Sequence, residues 1–307
     1  MRKIFRIASF ALLLAVGVAC STDDVPQETL GTYPILFRCM DETRAVATVG
    51  SMQNDANGFA VYAFFTNNAI NASQSFNKTV KYDDASGKWL YSGLEYWIPG
   101  ATYYFKAVYP TTINYAVDNS TTAQPLTITD YDIANQYDTL VAEAGPLTVD
   151  PVVGAPAESG SVVSLQFKHL LANVVVKIKA EVNVTINNVS LKYVPVKGSY
   201  ADGSWSYSSQ GNIEKDGLNK SLSSSSNEYH DVTDGGFLAF PCDINETKLY
   251  IKTSDKTYEL PLTAPTSWVA GNRYTYTLTI KQNDILFDEP TVEEWDEENA
   301  VGSVIIK

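Results

Sequence analysis

Thr32-Tyr33-Pro34-Ile35-Leu36-Phe37-Arg38-Cys39-Met40 reads as a strand. Tyr33, Ile35, Phe37 and Cys39 recur at every second position, so an extended backbone turns all four toward one face. The same texture continues along the chain. Short runs rich in Val, Ile, Thr, Tyr and Phe fall at 58–65, 79–82, 89–90, 103–109, 139–141, 162–167, 174–180, 185–194, 237–240, 248–253, 256–260 and 273–281. Clusters of Asn, Asp, Gly, Ser and Pro separate them. Asp83-Asp84-Ala85-Ser86-Gly87 and Thr253-Ser254-Asp255-Lys256 each sit between two such runs, as hairpin turns do. Helical periodicity is nearly absent, apart from expected turns near Ala134 and over Phe167–Leu171. The expected fold class is all-β, as antiparallel β-sandwiches.

The chain has 307 residues, enough for two cores of ordinary size. Ala144 to Gly160, with Pro146, Pro151 and Pro156, interrupts the strand rhythm and is the expected linker. Asn219 to Asn227 is serine-rich and poor in apolar residues, which predicts an exposed loop. The divisions that follow are 1–20 as a signal, 21–44 as an N-terminal segment, 45–160 as one sandwich and 161–307 as a second.

Arg2, Lys3 and Arg6 precede an apolar run, Ile7 to Ala19, that is too short to span a bilayer and ends at Cys20. Small residues before that cysteine fit a lipoprotein cleavage site with Cys20 as the lipidated residue, although Gly17 stands where Leu is usual. Asp23 and Asp24 resemble the surface-export signal of Bacteroidota lipoproteins. The formal charge is -13, and it becomes more negative once the basic signal is removed. Such a surface disfavours nucleic acid and anionic lipid headgroups as partners. With Cys20 lipidated, Cys39 and Cys242 remain, too few for a disulfide scaffold, and both are expected to be free.

Catalytic chemistry is hard to find. The two histidines, His169 and His230, lack a metal-ligand spacing, and His169 lies among apolar residues as a packed core histidine would. Cys242 follows an apolar run and reads as a buried thiol. Glu293, Glu294, Asp296, Glu297 and Glu298 around Trp295 read as a charged, solvated edge rather than a carboxylate pair for glycoside hydrolysis. No cofactor and no metal site is expected, and the chain is not read as an enzyme.

Two segments invite pairing outside their own domain. The strand Tyr33–Cys39 is followed by a polar connector, Asp41-Glu42-Thr43-Arg44, and then by the small residues Ala45-Val46-Ala47. A trypsin-like protease reaches an arginine in such a connector, between Arg44 and Ala45. Arg38 is a competing position, but it lies inside the strand. The second segment is Ala300-Val301-Gly302-Ser303-Val304-Ile305-Ile306-Lys307, which has no evident hairpin partner.

Four phrases, in this order after a lipoprotein signal, resemble the fimbrillin family of Bacteroidales, the pilins of type V pili. They are Trp97-Ile98-Pro99-Gly100 leading to Tyr103–Pro110, Phe167-Lys168-His169-Leu170-Leu171-Ala172, Trp268-Val269-Ala270-Gly271-Asn272-Arg273-Tyr274, and Val292-Glu293-Glu294-Trp295. The resemblance implies two tandem transthyretin-like sandwiches and a prepilin exported as a lipoprotein to the outer membrane. It also implies cleavage after an arginine near the first strand. On that basis an Arg-specific protease removes Tyr33, Ile35 and Phe37 together with the lipid. The opened groove then receives an extended segment of the next subunit, best matched by Ala300, Val301, Val304, Ile305 and Ile306. Four or five buried apolar side chains would contribute about 6–15 kcal/mol before ordering costs. Partners would be other pilin subunits, including tip and anchor subunits, in a cell-surface fimbrium. The alternatives are a tip or anchor role, or a surface glycan-binding lipoprotein that never polymerises and stacks sugars on Trp205 and Tyr207.

Overall fold

The computed structural model describes residues 33–39, 52–67, 72–156, 160–201, 203–282, 284–288 and 290–295. Cys20, Arg44, Ala45 and the segment from Ala300 to Lys307 lie outside the described residues. Nearly all regular structure is strand. The first ten strands are β1 (Leu36–Cys39), β2 (Phe59–Asn67), β3 (Ala72–Asp83), β4 (Lys88–Leu90), β5 (Ala101–Tyr109), β6 (Tyr115–Val117), β7 (Leu126–Asp132), β8 (Leu140–Thr148), β9 (Val162–Leu165) and β10 (Phe167–His169). The rest are β11 (Ala172–Ala180), β12 (Val184–Ala201), β13 (Ser204–Leu222), β14 (His230–Asp231), β15 (Phe237–Ala239), β16 (Lys248–Thr253), β17 (Thr257–Pro261), β18 (Asn272–Ile280), β19 (Ile285–Phe287) and β20 (Thr291–Glu294). One 3-10 turn, Ile133–Asn135, fulfils the turn expected near Ala134. The other expected turn is instead strand β10.

The first core lies inside a sheet path ordered β10-β8-β5-β2-β3-β4-β1-β9. β3 serves two partners, pairing β2 over Ala72–Val80 and β4 over Lys81–Asp83. Only Gln166 separates β9 from β10, yet they are opposite ends of the path, so the sheet folds back on itself around its apolar interior. That interior holds Phe59, Trp97, Tyr103, Phe105, Val163 and Leu165 among others. The turn between β3 and β4 closes as expected. Asp83 accepts the Ser86 amide at 3.0 Å, and Gly87 takes a φ of +65°.

The second core is enclosed by two further sheets. One is ordered β14-β11-β18-β19, with β15 also on β11 and β20 also on β18; the other is β17-β16-β12-β7-β6, with β13 on β12. Most pairs are antiparallel, as expected. Two are not: β1 runs parallel to β9, and β11 runs parallel to β18 along eight residue pairs. Parallel neighbours require a crossover, and here each is separated from its partner by most of a sandwich.

Residues 144–160 do not carry the chain from one core to the other. Val163, Leu165 and Phe167 return to the first core, while Leu126, Ile128, Tyr131 and Ile133 already belong to the second. The two cores are interleaved along the chain. The first part of this Pro-Gly run, Ala144–Thr148, is instead the second half of β8, paired with β5 across a register shift, and residues 149–156 follow as turns. Within β8, Gly145 has a φ of +117°, and a Cβ there would lie 2.6 Å from the Tyr103 carbonyl. The loop expected from Asn219 begins late, because β13 continues to Leu222. Its 19 residues follow β12 at the sheet's side, so backbone pairing orders it where apolar patterning is faint.

Candidate functional site

The first strand is held on both sides. β1 runs antiparallel to β4 through Phe37 opposite Trp89, and parallel to β9 from Leu36 opposite Val162 to Cys39 opposite Leu165. Pairing extends ahead of β1: the Ile35 amide donates to Glu95 O at 2.8 Å, and the Trp97 amide donates to Tyr33 O at 3.0 Å. Tyr91 adds its hydroxyl to Ile35 O at 2.6 Å. The segment therefore fills a slot whose two walls are otherwise unpaired strand edges.

Its apolar residues point into the core as the alternation predicts. Ile35 is wholly buried, Phe37 is 4% exposed, and Tyr33 and Cys39 pack against the same core while half-buried. The Phe37 ring meets Tyr91 at 5.5 Å and Phe105 edge-on at 5.8 Å between centroids. Burying Ile35 and Phe37 stabilises the slot by about 3–6 kcal/mol at about 1.5–3 kcal/mol each. Arg38 faces solvent, with Nε donating to Ser164 Oγ at 2.7 Å. Its backbone lies in the ladder between two strands, where a protease cannot draw it into an extended, unpaired conformation.

Topology adds a second property. β1 forms no hairpin with either neighbour, and its chain continues to β2 only through residues 40–58. The structure thus brings Tyr33, Ile35 and Phe37 together in one slot. Arg44, Ala45 and Ala300, Val301, Val304, Ile305 and Ile306 remain outside the described residues.

At the other end of the chain, β20 pairs with β18, and its Thr291, Val292, Glu293 and Glu294 are all exposed, a charged edge as read from the sequence. Trp295 is the exception. It is 8% exposed, stacks on His169 with ring centroids 3.7 Å apart, and gives its amide to Gly271 O at 2.7 Å. His169 in turn pairs through Nδ1 with Asp138 at 2.8 Å. His169 is therefore packed, as expected, but it packs at the junction of β10 with the C-terminal strand. The Trp295 contact was not foreseen; the only cue was a tryptophan inside an acidic run.

The remaining candidates are structural. Cys39 and Cys242 pack against different cores. Burial and the neighbouring Asp243 push the Cys242 thiol up to about 12, so it is poorly suited to nucleophilic attack. Trp205 is not an open stacking platform. It donates Nε1 to Leu170 O at 2.9 Å and packs edge-on against Tyr200 and Phe240. Tyr207 donates its hydroxyl to Pro241 O and leans on Phe240. Among the described residues no three His, Cys, Asp or Glu side chains are grouped to hold a metal ion.

The family model described as fimbrillin-like matches residues 43–295. Among solved structures, the chain is similar to a fimbrial protein from Bacteroides vulgatus, with 18% identity, 85% of this chain and 99% of that one covered, and a TM-score of 0.61. A candidate cell adhesion protein from Bacteroides ovatus gives 15% identity, 85% and 96% coverage, and a TM-score of 0.55. Another from Bacteroides uniformis gives 16% identity, 86% and 98% coverage, and a TM-score of 0.51. At these identities the likeness shows the fold. No match was found among curated proteins.

Proposed function

Because the chain belongs to the fimbrillin-like family, we propose that it is a structural subunit of a cell-surface fimbria that polymerises by exchanging β1 for a strand of the next subunit. The family supports a fimbrial, non-enzymatic role at the cell surface. The observation that carries the finer reading is the slot itself. A strand with two buried apolar anchors is paired on both edges and tied to its neighbours only through residues 40–58. Cleavage between Arg44 and Ala45 would leave β1 held by noncovalent contacts alone. Its departure would expose the edges of β4 and β9 over an aromatic floor, which is a template for strand addition.

Val304 and Ile306, two residues apart as Ile35 and Phe37 are, would take their positions. Head-to-tail repetition of such a contact does not close and so builds a filament. In this reading Cys20 carries lipid through the outer membrane stage, an Arg-specific protease releases the subunit, and tip and anchor subunits complete the fimbrium.

The test is N-terminal and intact-mass analysis of cell-surface protein before and after an Arg-specific protease, alongside a variant lacking residues 300–307. A start at Ala45 with SDS-resistant ladders, lost in the truncated variant, supports strand exchange. An uncut lipidated chain that starts at Cys20 and forms no ladders rejects it.

A further inference from the structure

β12 carries a defect on the outer surface of the second sandwich. Between Lys192 and Val194 its register with β13 slips, leaving Tyr193 unpaired with a φ of +61°. Of the other five non-glycine residues with positive φ among those described, three are Asp or Asn, which tolerate that region better than an aromatic residue, and two are Gln. Glycine would occupy this bulge without strain. Tyr193 is nevertheless 51% exposed, so it gains little from packing to offset the backbone. A strained residue that stability does not explain is a place to look for binding.

Its neighbours complete a patch. Lys248 on β16 places Nζ 5.8 Å from the Tyr193 ring centroid. Glu259 on β17 accepts from both Lys248 Nζ and the Tyr250 hydroxyl, which fixes an ammonium and a carboxylate side by side. The Tyr250 ring is covered by Lys192 Nζ at 3.4 Å, whereas Lys248 stands farther from Tyr193, which is the more open ring of the group. Donor and acceptor held together beside an apolar ring suit neutral hydroxyls. A free anion would meet Glu259, and a free cation would meet Lys192 and Lys248.

We propose that this patch binds carbohydrate, with a pyranose laying its C–H face on Tyr193 and its hydroxyls on Lys248 and Glu259. The patch is shallow, so a single site is weak. Repetition along a fibre would raise the avidity, and only that gain rests on the polymerisation proposed above.

The experiment uses the uncut, monomeric full chain, so it does not depend on polymerisation. Maltotriose, lactose and triacetylchitotriose are each titrated to about 10 mM and followed by saturation-transfer NMR. Transfer to one face of a pyranose is expected for at least one sugar. Tyr193→Gly should weaken that binding at least about tenfold while the melting temperature stays level or rises. Tyr193→Phe should retain binding, and Glu259→Gln should weaken it. The proposal is overturned if none of the three sugars receives transfer, or if Tyr193→Gly binds as the parent does. A fall in melting temperature for Tyr193→Gly would also overturn it, because the ring would then be structural. Capture of an acidic peptide in place of every sugar would do the same.

Discussion

Phe37→Ala tests whether the slot around β1 is the energetic centre of the first sandwich. The ring is 4% exposed and touches Tyr91 and Phe105, so its loss leaves a void that the flanking aromatic residues cannot fill by small movements. Buried Phe→Ala changes cost about 3–5 kcal/mol. Urea unfolding of the intact chain should show that loss in the midpoint at unchanged slope. After cleavage in the 40–50 connector, the same deficit appears as faster departure of β1. It corresponds to about two to three and a half decades in the equilibrium for retaining the strand. Leu36→Ala is the matched control, since Leu36 alternates to the opposite face and is only half-buried. Its loss should stay below about 2 kcal/mol and leave strand retention within about thirtyfold of the parent. Equal effects for the two substitutions, or a Phe37→Ala loss under about 1 kcal/mol, would refute the claim that the odd positions anchor this strand.

Gly145→Ala should destabilise the chain by about 1–3 kcal/mol, because an L side chain is strained at a φ of +117° and its Cβ would press on the Tyr103 carbonyl; thermal unfolding measures it. Cys242 should resist iodoacetamide at pH 8 far more than an unfolded cysteine does, because burial raises its thiol to about 12 and leaves little thiolate. The sign follows: the folded state favours the protonated thiol, so this contribution to stability is intact below the unfolded thiol range and is lost as pH rises toward 12. Mass spectrometry across pH 8–10 checks the alkylation, and rapid labelling in the native state at pH 8 would contradict the burial.

Strand identity was legible wherever one face was apolar. The alternation of Tyr33, Ile35 and Phe37 predicted which residues enter the core, and Arg273 to Ile280 behaved likewise. β13 beyond Ser209 was illegible because a long strand with few buried residues is ordered by its backbone partner rather than by its own side chains. β7 was legible but overlooked: Leu126 and Ile128 alternate with threonines in a short run. Which core a strand joins is a different kind of information. Nothing in the composition of 115–132 or 162–169 tells that these segments cross over, since a proline-rich stretch looks alike at a domain boundary and within one sandwich. The bulge at Tyr193 was equally silent, because a backbone conformation favouring glycine leaves no trace where the residue is not glycine.

The interleaving of the cores has a consequence for biogenesis. Arg38 meets Ser164 across 126 residues, so the strand that leaves the ribosome first waits longest for its partner. Loop closure over that distance is slow, and the wall formed by β9 does not exist until synthesis or secretion has passed residue 165. Until then the partly built first sandwich presents an open flank, much as a cleaved subunit would. The position proposed above for strand exchange is thus also the one that stays open until β9 has been made, so a nascent chain is exposed at that same place.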